Sequence, residues 1–227
     1  MSRYFHVTRS PVFSFAVTAP LLLLYNLVYF LPGNQWLNGV DFIGYALLTF
    51  TGAQGFLIFN LLLFLITLGI FLFKRKKGIF SFGHVLILFL ESAAYGLASG
   101  MSTVYLMKHM VLLGPHKGLS LPMALIVSAG AGYHEELFFR LVLLGIPMLI
   151  ISRLKKGLLR VVLSVLLVTV NAVLFSLAHF LGRESFTLYA FYFRMFTGLW
   201  FCLIFLIRGF AVSAYTHFFY DVMVFLS

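Results

Sequence analysis

The chain has 227 residues, of which 62% are hydrophobic and only 10% are charged, and its mean hydropathy is +1.06. A soluble globular domain carries about 25% charged residues, so this composition excludes a soluble fold and indicates an integral membrane protein. The formal net charge of +10 does not indicate a nucleic-acid partner, because the basic residues lie in short runs between apolar stretches, as the positive-inside rule produces. The single cysteine, Cys202, excludes an intrachain disulfide.

The apolar stretches are long enough to cross a bilayer, for which a helix needs about 20 residues. We predict spans at residues 11–31, 41–73, 79–107, 120–152, 158–180, 187–207 and 210–227. This pattern predicts an all-α polytopic transmembrane bundle of about seven spans. Lys and Arg are concentrated at the N-terminus and at residues 74–78, 153–157 and 208–209, which predicts that these segments are cytoplasmic. In the third span, the GxxxG spacing of Gly96 and Gly100 predicts close helix packing.

The fourth predicted span contains a cluster of ionisable residues in an otherwise apolar run. A charge at the bilayer centre costs about 2.5 kcal/mol or more, so such a cluster indicates a functional site. Glu136 and Arg140 are four residues apart, share a helix face and can form an ion pair. Neighbouring residues of an α-helix point about 100° apart, so Glu135 is expected to need a different partner. The zinc-protease pattern HExxH is not met, because Phe138 stands where the second histidine would be.

Two later spans carry further polar residues at helical spacing. His179 closes the sequence Phe175-Ser176-Leu177-Ala178-His179, and His217 and Asp221 lie four residues apart on one helix face. Two histidines and a glutamate on separate helices are a set that can activate water. We expect Glu135 to act as general base, and the histidines to orient the water, stabilise an oxyanion or ligate a metal. Asp221 would orient His217 or hold the substrate backbone.

Taken together, these motifs resemble the EExxxR, FxxxH and HxxxN/D pattern of the CAAX protease and bacteriocin-processing (CPBP, Abi) family of intramembrane proteases. The matching residues are Glu135, Glu136 and Arg140, then Phe175 and His179, then His217 and Asp221. The resemblance covers roughly residues 120–227. We therefore expect residues 119–227 to form a CPBP-like catalytic transmembrane core, and residues 1–118 to form N-terminal transmembrane helices without a recognised motif.

The resemblance implies an intramembrane endopeptidase of the glutamate or metalloprotease type, in which Glu135 activates the water. The other catalytic residues that it implies are His179, His217 and Asp221, the last in place of the family's usual asparagine. The supporting residues that it implies are Glu136, Arg140 and Phe175, with Phe175 as a wall of the site. Whether a metal takes part stays open: Glu135, His179 and His217 could hold Zn²⁺ at about 2.0–2.2 Å, or a water molecule without a metal.

By this resemblance the substrate is a membrane-associated protein, cleaved at a C-terminal tail or sorting anchor. The expected location is a prokaryotic plasma membrane, with lipids and the anchored substrate as partners. The predicted topology places His179 toward the outer face, so we expect the cavity to open to the extracytoplasmic side. One alternative is a non-proteolytic immunity or scaffold protein with the same fold. Another is a proton-coupled carrier that uses Glu135, Glu91 and the histidines, although the repeated halves typical of carriers are absent from the sequence.

Three further ionisable residues lie outside the family pattern. Glu91 is expected to be an interior hydrogen-bonding group of the third span. His134 has no assigned role. Arg194 could pair with Glu184, contact a substrate carboxylate, or extend toward the membrane interface.

Overall fold

The computed structural model describes residues 3–31, 38–76, 80–107, 119–181 and 185–226, and these are almost entirely helical, with no β-strand among them. In chain order the helices are α1 (Arg3–Thr8), α2 (Pro11–Tyr25), α3 (Phe42–Lys76), α4 (Phe82–Met107), α5 (Leu121–Gly130), α6 (Ile146–Ser152), α7 (Leu158–Ala178), α8 (Leu188–Arg208) and α9 (Phe210–Leu226). Two 3-10 turns, Asn26–Phe30 and His179–Leu181, extend α2 and α7. A π-helical segment, Ala131–Gly145, joins α5 to α6. The predicted all-α class is confirmed.

Most of these helices have the length and apolarity of membrane spans. Within the described ranges, five stretches meet both criteria: Pro11–Phe30, Phe42–Lys76, Phe82–Met107, Leu158–Leu181 and Leu188–Arg208. The predicted fourth span is a continuous helical run made of α5, the π-helical segment and α6. The last predicted span corresponds to α9, which is apolar but has only 17 residues. The protein is therefore a polytopic helical bundle.

The π-helical segment carries the central acidic motif. In a π-helix each backbone N–H bonds to the carbonyl five residues earlier, as Ile146 does to Leu141 at the end of the segment. A π-helix has more residues per turn than an α-helix, so neighbouring side chains diverge by less than 100°. Glu135 and Glu136 therefore point in more similar directions than an α-helix would allow.

Helix α9 lies at the centre of the bundle, and every residue from Phe210 to Phe218 is buried. It packs against α2, α4, α5, α8 and the π-helical segment. Glycines allow the closest approaches between helices. A Cβ on Gly132 would lie only 2.6 Å from the carbonyl oxygen of Ala214, so any side chain there would clash with α9. On α4, a Cβ on Gly96 would lie 3.2 Å from the Thr216 carbonyl oxygen. The predicted close packing at Gly96 is thus found against α9.

A second polar cluster joins the N-terminal helix to the bundle. Arg208 donates to both carboxylate oxygens of Glu91, at 2.5 and 2.8 Å. The Tyr4 hydroxyl also donates to Glu91, and Arg208 donates to Thr8 Oγ1 at 3.3 Å. Glu91 therefore serves as the interior hydrogen-bonding group that the sequence predicts, and it links α1, α4 and α8.

Gly209, with φ of +85°, makes the tight return from α8 to α9.

Candidate active site

The structure brings the four predicted catalytic side chains together. Glu135 lies on the π-helical segment, His179 at the end of α7, and His217 and Asp221 on α9. Glu135 Oε2 is 3.8 Å from His179 Nε2 and 3.9 Å from His217 Nε2. Asp221 Oδ2 is 3.6 Å from the same nitrogen of His217. Two carboxylates and two imidazoles thus converge from three separate helical segments.

His217 is held in one orientation by its surroundings. Its Nδ1 lies 2.9 Å from Glu136 Oε1, and its ring stacks on Phe201 with a centroid separation of 4.3 Å. Because the carboxylate of Glu136 can only accept, a hydrogen on Nδ1 points toward it. The other ring nitrogen, Nε2, is consequently directed toward Glu135 and Asp221.

Glu136 and Arg140 form the ion pair that their spacing predicts. Both side chains are completely buried, and Arg140 Nε lies 3.5 Å from Glu136 Oε1. The hydroxyl of Ser213 donates to Glu136 Oε2 at 2.5 Å. Arg140 also donates to the Gly198 carbonyl oxygen at 3.4 Å, and its guanidinium carbon lies 4.1 Å from the ring centroid of Phe175. Each charge thus has an opposite charge or a polar group beside it, which burial requires.

Phe175 and His179 are positioned by the last turn of α7. His179 Nδ1 lies 2.8 Å from the Phe175 carbonyl oxygen, which can only accept a hydrogen bond. The hydrogen of a neutral His179 is therefore on Nδ1, and Nε2 faces Glu135. The Phe175 ring lies between the two histidines, 5.0 Å from His179 and 5.8 Å from His217 between ring centroids. The ring of Phe175 thus contacts both histidines.

Glu135, His179 and His217 differ in how far their side chains are exposed. The exposed fraction of the side chain is 29% for His179, 14% for Glu135 and 4% for His217. His179 is therefore the most exposed of the three side chains and His217 the most buried. Glu135 Oε2 is itself buried and has no hydrogen-bond partner within the described part of the chain. A buried carboxylate oxygen near two imidazoles and without a hydrogen-bond partner is a candidate binding position for a water molecule or a polar group of a ligand.

The N-terminal region adds two polar residues that sequence reasoning missed. Asn38 Nδ2 donates to Glu135 Oε1 at 2.8 Å. Asp41, also buried, lies 3.5 Å from Nδ1 of His134, which gives that histidine its partner. Neither residue belongs to a recognisable motif. The one signal was the position of these two polar residues at the start of the second apolar span.

Arg194 lies on α8 near the same site. Its guanidinium carbon is 5.3 Å from the ring centroid of Phe180, and the side chain is close enough to Asp221 for an electrostatic interaction. The suggested partner Glu184 lies outside the described residues. Arg194 therefore places a positive charge beside the predicted catalytic residue Asp221.

Carboxylate and imidazole groups of this kind are also ligands of metal ions in other proteins. Among the described residues, no group of three or more His, Cys, Asp or Glu side chains is arranged so that it could hold a metal ion. Glu135, His179 and His217, the set that the sequence suggests for Zn²⁺, thus do not fit a metal in this arrangement.

Comparison with known families identifies the C-terminal part of the chain. Residues 117–223 match the family model described as type II CAAX prenyl endopeptidase Rce1-like. The matched range includes every site residue that the sequence predicts, and it leaves out Asn38 and Asp41. No curated protein and no solved structure matches the chain.

Proposed function

We propose that the chain hydrolyses a peptide bond of a membrane-associated protein with water that Glu135 activates, because residues 117–223 match the family model of Rce1-like CAAX prenyl endopeptidases. The observation that carries this proposal is the position of Glu135 Oε2, which faces Nε2 of His179 and of His217 at 3.8 and 3.9 Å. These separations are too long for direct hydrogen bonds, and one water molecule can bridge each of them.

In the proposed reaction, Glu135 takes a proton from this water as the water oxygen attacks the carbonyl carbon of the substrate. The tetrahedral intermediate carries a negative oxygen. Glu135 then gives the proton to the leaving amine as the C–N bond breaks, which returns the carboxylate to its starting state. The products are a new carboxyl terminus and a released amine.

The histidines have two roles in this scheme, set by their hydrogen bonds. With Nδ1–H directed at Phe175 or Glu136, a neutral imidazole presents a lone pair on Nε2, which accepts a hydrogen bond from the water and orients it. A protonated imidazole instead donates from Nε2 to the oxyanion. Glu135, Glu136 and Asp221 surround His217, and their negative charges balance an imidazolium there.

We propose that the substrate is a protein with a C-terminal tail or anchor in the membrane. The exposed side of the site, at His179, would admit an extended segment, and the charge of Arg194 near Asp221 suits a substrate carboxylate close to the scissile bond. Catalysis without a bound metal is part of this proposal. The non-proteolytic scaffold is the alternative that an activity measurement must exclude.

The orientation in the membrane is proposed from the charge distribution, with Arg153 and Lys155 on the cytoplasmic side and His179 toward the outer face. Cysteine labelling tests it, since Cys202 is fully buried and should not react. A membrane-impermeant maleimide should label a Ser185→Cys variant in intact cells. It should label Lys155→Cys only after the membrane is opened. The reverse pattern would place the site on the cytoplasmic side.

The function itself is tested by co-expression with single-span proteins that carry a C-terminal tag. The wild-type chain should release the tag from at least one of them, and Glu135→Gln should bind the same protein without releasing it. Capture without cleavage by both variants would favour the scaffold alternative. Uptake of a solute that depends on Glu91 would favour a carrier, although Glu91 has Arg208 and Tyr4 as its partners.

A further inference from the structure

Asn38 reaches the proposed catalytic base from outside the matched family region. Its Nδ2 donates to Glu135 Oε1 at 2.8 Å, across 97 residues of sequence. We propose that Asn38 is a positioning residue for Glu135 and that residues 38–41, which precede α3, complete the active site. This inference rests on the proposed function, in which Glu135 is the general base.

The orientation of the Asn38 amide is fixed by a second hydrogen bond. Its Oδ1 accepts from the backbone N–H of Val40 at 3.1 Å. A carbonyl oxygen accepts and an amide nitrogen donates, so the bond from Val40 leaves Nδ2 as the end that faces Glu135. The side chain therefore presents a donor, and not an acceptor, to the carboxylate.

The backbone of Asn38 is anchored as well. Its N–H donates to the hydroxyl of Tyr25 at 2.8 Å. Tyr25 is completely buried, and its ring lies 4.9 Å from that of His134, the residue next to Glu135. Val40 packs against the aromatic cluster that includes Phe175. The segment is thus held on both sides of Asn38 by groups that also contact the site.

With Asn38 held in this way, the two carboxylate oxygens of Glu135 have different partners. Oε1 accepts from Asn38, and Oε2 faces His179 and His217. A carboxylate attached through a flexible side chain could otherwise rotate and present either oxygen in several directions. The amide of Asn38 selects the rotamer in which Oε2 can accept a proton from water, so it acts on catalysis through Glu135.

The substitution Asn38→Asp tests this role with little change in shape. It keeps an oxygen that accepts from Val40, and it replaces the donor to Glu135 with a carboxylate oxygen that can only accept. We expect kcat to fall about 10- to 100-fold, the rate equivalent of one hydrogen bond to a charged group, with KM nearly unchanged. Asn60→Ala is the matched control. It removes another half-buried amide of the N-terminal region, which accepts from Asn26 at 2.6 Å, and kcat should stay at the wild-type value.

A second measurement examines the contact without relying on cleavage. Asn38→Asp sets two carboxylates against each other, and we expect Tm to fall by roughly 2–4 °C in detergent. Combining it with Glu135→Gln reverses donor and acceptor, because the new amide can donate to the new carboxylate. The double variant should therefore regain the Tm of Glu135→Gln alone.

The outcomes separate the two proposals. A wild-type kcat in Asn38→Asp, or an equal loss of Tm in both backgrounds, would overturn the role of Asn38. If neither the wild type nor any variant cleaves a substrate, the proposed function fails, and the role of Asn38 in catalysis fails with it. Recovery of Tm in the double variant would then still show that the contact exists. Loss of kcat together with recovery of Tm supports the inference.

Discussion

Glu136 accepts a hydrogen bond from Nδ1 of His217 at 2.9 Å, and this contact directs the opposite ring nitrogen toward Glu135. The two adjacent glutamates therefore lie on opposite sides of one imidazole ring, with Glu136 at Nδ1 and Glu135 near Nε2. Glu136 is fully buried beside Arg140, whereas Glu135 is partly exposed. In the proposed reaction, Glu136 orients the histidine and Glu135 contacts water and substrate.

The substitution Glu136→Gln should lower both activity and stability. Loss of the charge weakens the hydrogen bond from His217, and we expect kcat to fall about 10- to 100-fold. It also leaves Arg140 buried without its opposite charge, at a cost of about 3 kcal/mol in the free energy of unfolding. Enzyme kinetics and thermal unfolding in detergent measure the two effects.

The double variant Glu136→Gln/Arg140→Met separates these effects. Replacing the buried cation should restore much of the stability, while kcat stays low because His217 is still without its carboxylate. Recovery of kcat together with stability would mean that Glu136 acts only as the partner of Arg140.

Close packing of the π-helical segment on α9 should be required for activity. A methyl group at Gly132 would lie 2.6 Å from the Ala214 carbonyl oxygen, so Gly132→Ala should push the segment away from His217. We expect a lower Tm and at least about a tenfold loss of kcat, because small misplacements of catalytic groups are costly.

Gly100→Ala is the control for this prediction. Its added methyl group would lie 3.5 Å from the Tyr220 ring, an ordinary contact distance. Tm and kcat should therefore remain near the wild-type values. Equal effects of Gly132→Ala and Gly100→Ala would refute the importance of the close approach at Gly132.

The Glu91–Arg208 pair should matter for stability and not for chemistry. Arg208 is nearly fully buried and donates twice to Glu91, so Glu91→Gln should lower the free energy of unfolding by about 3 kcal/mol. Hydrogen exchange should increase in α1, which is tied to Glu91 through Tyr4. The kcat of the remaining folded protein should be unchanged, and a selective loss of kcat would instead assign Glu91 to the reaction.

Activity should survive removal of divalent metal. The described residues offer no group arranged to hold a metal ion, and the proposed reaction needs only Glu135, water and the two histidines. After dialysis against a strong chelator, kcat should be retained and zinc should be far below one ion per chain. Loss of activity that returns with added Zn²⁺, and with no other divalent ion, would show that a metal takes part.

Helical spacing in the sequence predicts much of the site. The four-residue separations of Glu136 from Arg140 and of His217 from Asp221 each place two side chains within 4 Å. The long apolar runs correctly predict a helical membrane protein. Such patterns succeed because they report periodicity within one helix.

Contacts between distant segments could not be predicted in the same way. The π-helical winding, which brings both glutamates to His217, has no marker in the sequence around Glu135. Asn38 precedes a helix by a few residues and resembles any polar residue of a loop. Its proposed role depends on how residues 38–41 pack against the site, and the sequence carries no local pattern for such tertiary contacts.

The most direct measurement of the central claim is the kcat of purified Glu135→Gln against a cleavable tagged substrate, with Tm as the control for folding. Glutamine keeps the size of the side chain and its hydrogen-bonding oxygen, but it cannot take a proton from water. We predict that Tm stays near the wild-type value while kcat falls at least about 100-fold, the contribution of a general base. A folded Glu135→Gln protein that cleaves within a few-fold of the wild-type rate would contradict the assignment of Glu135 as the base.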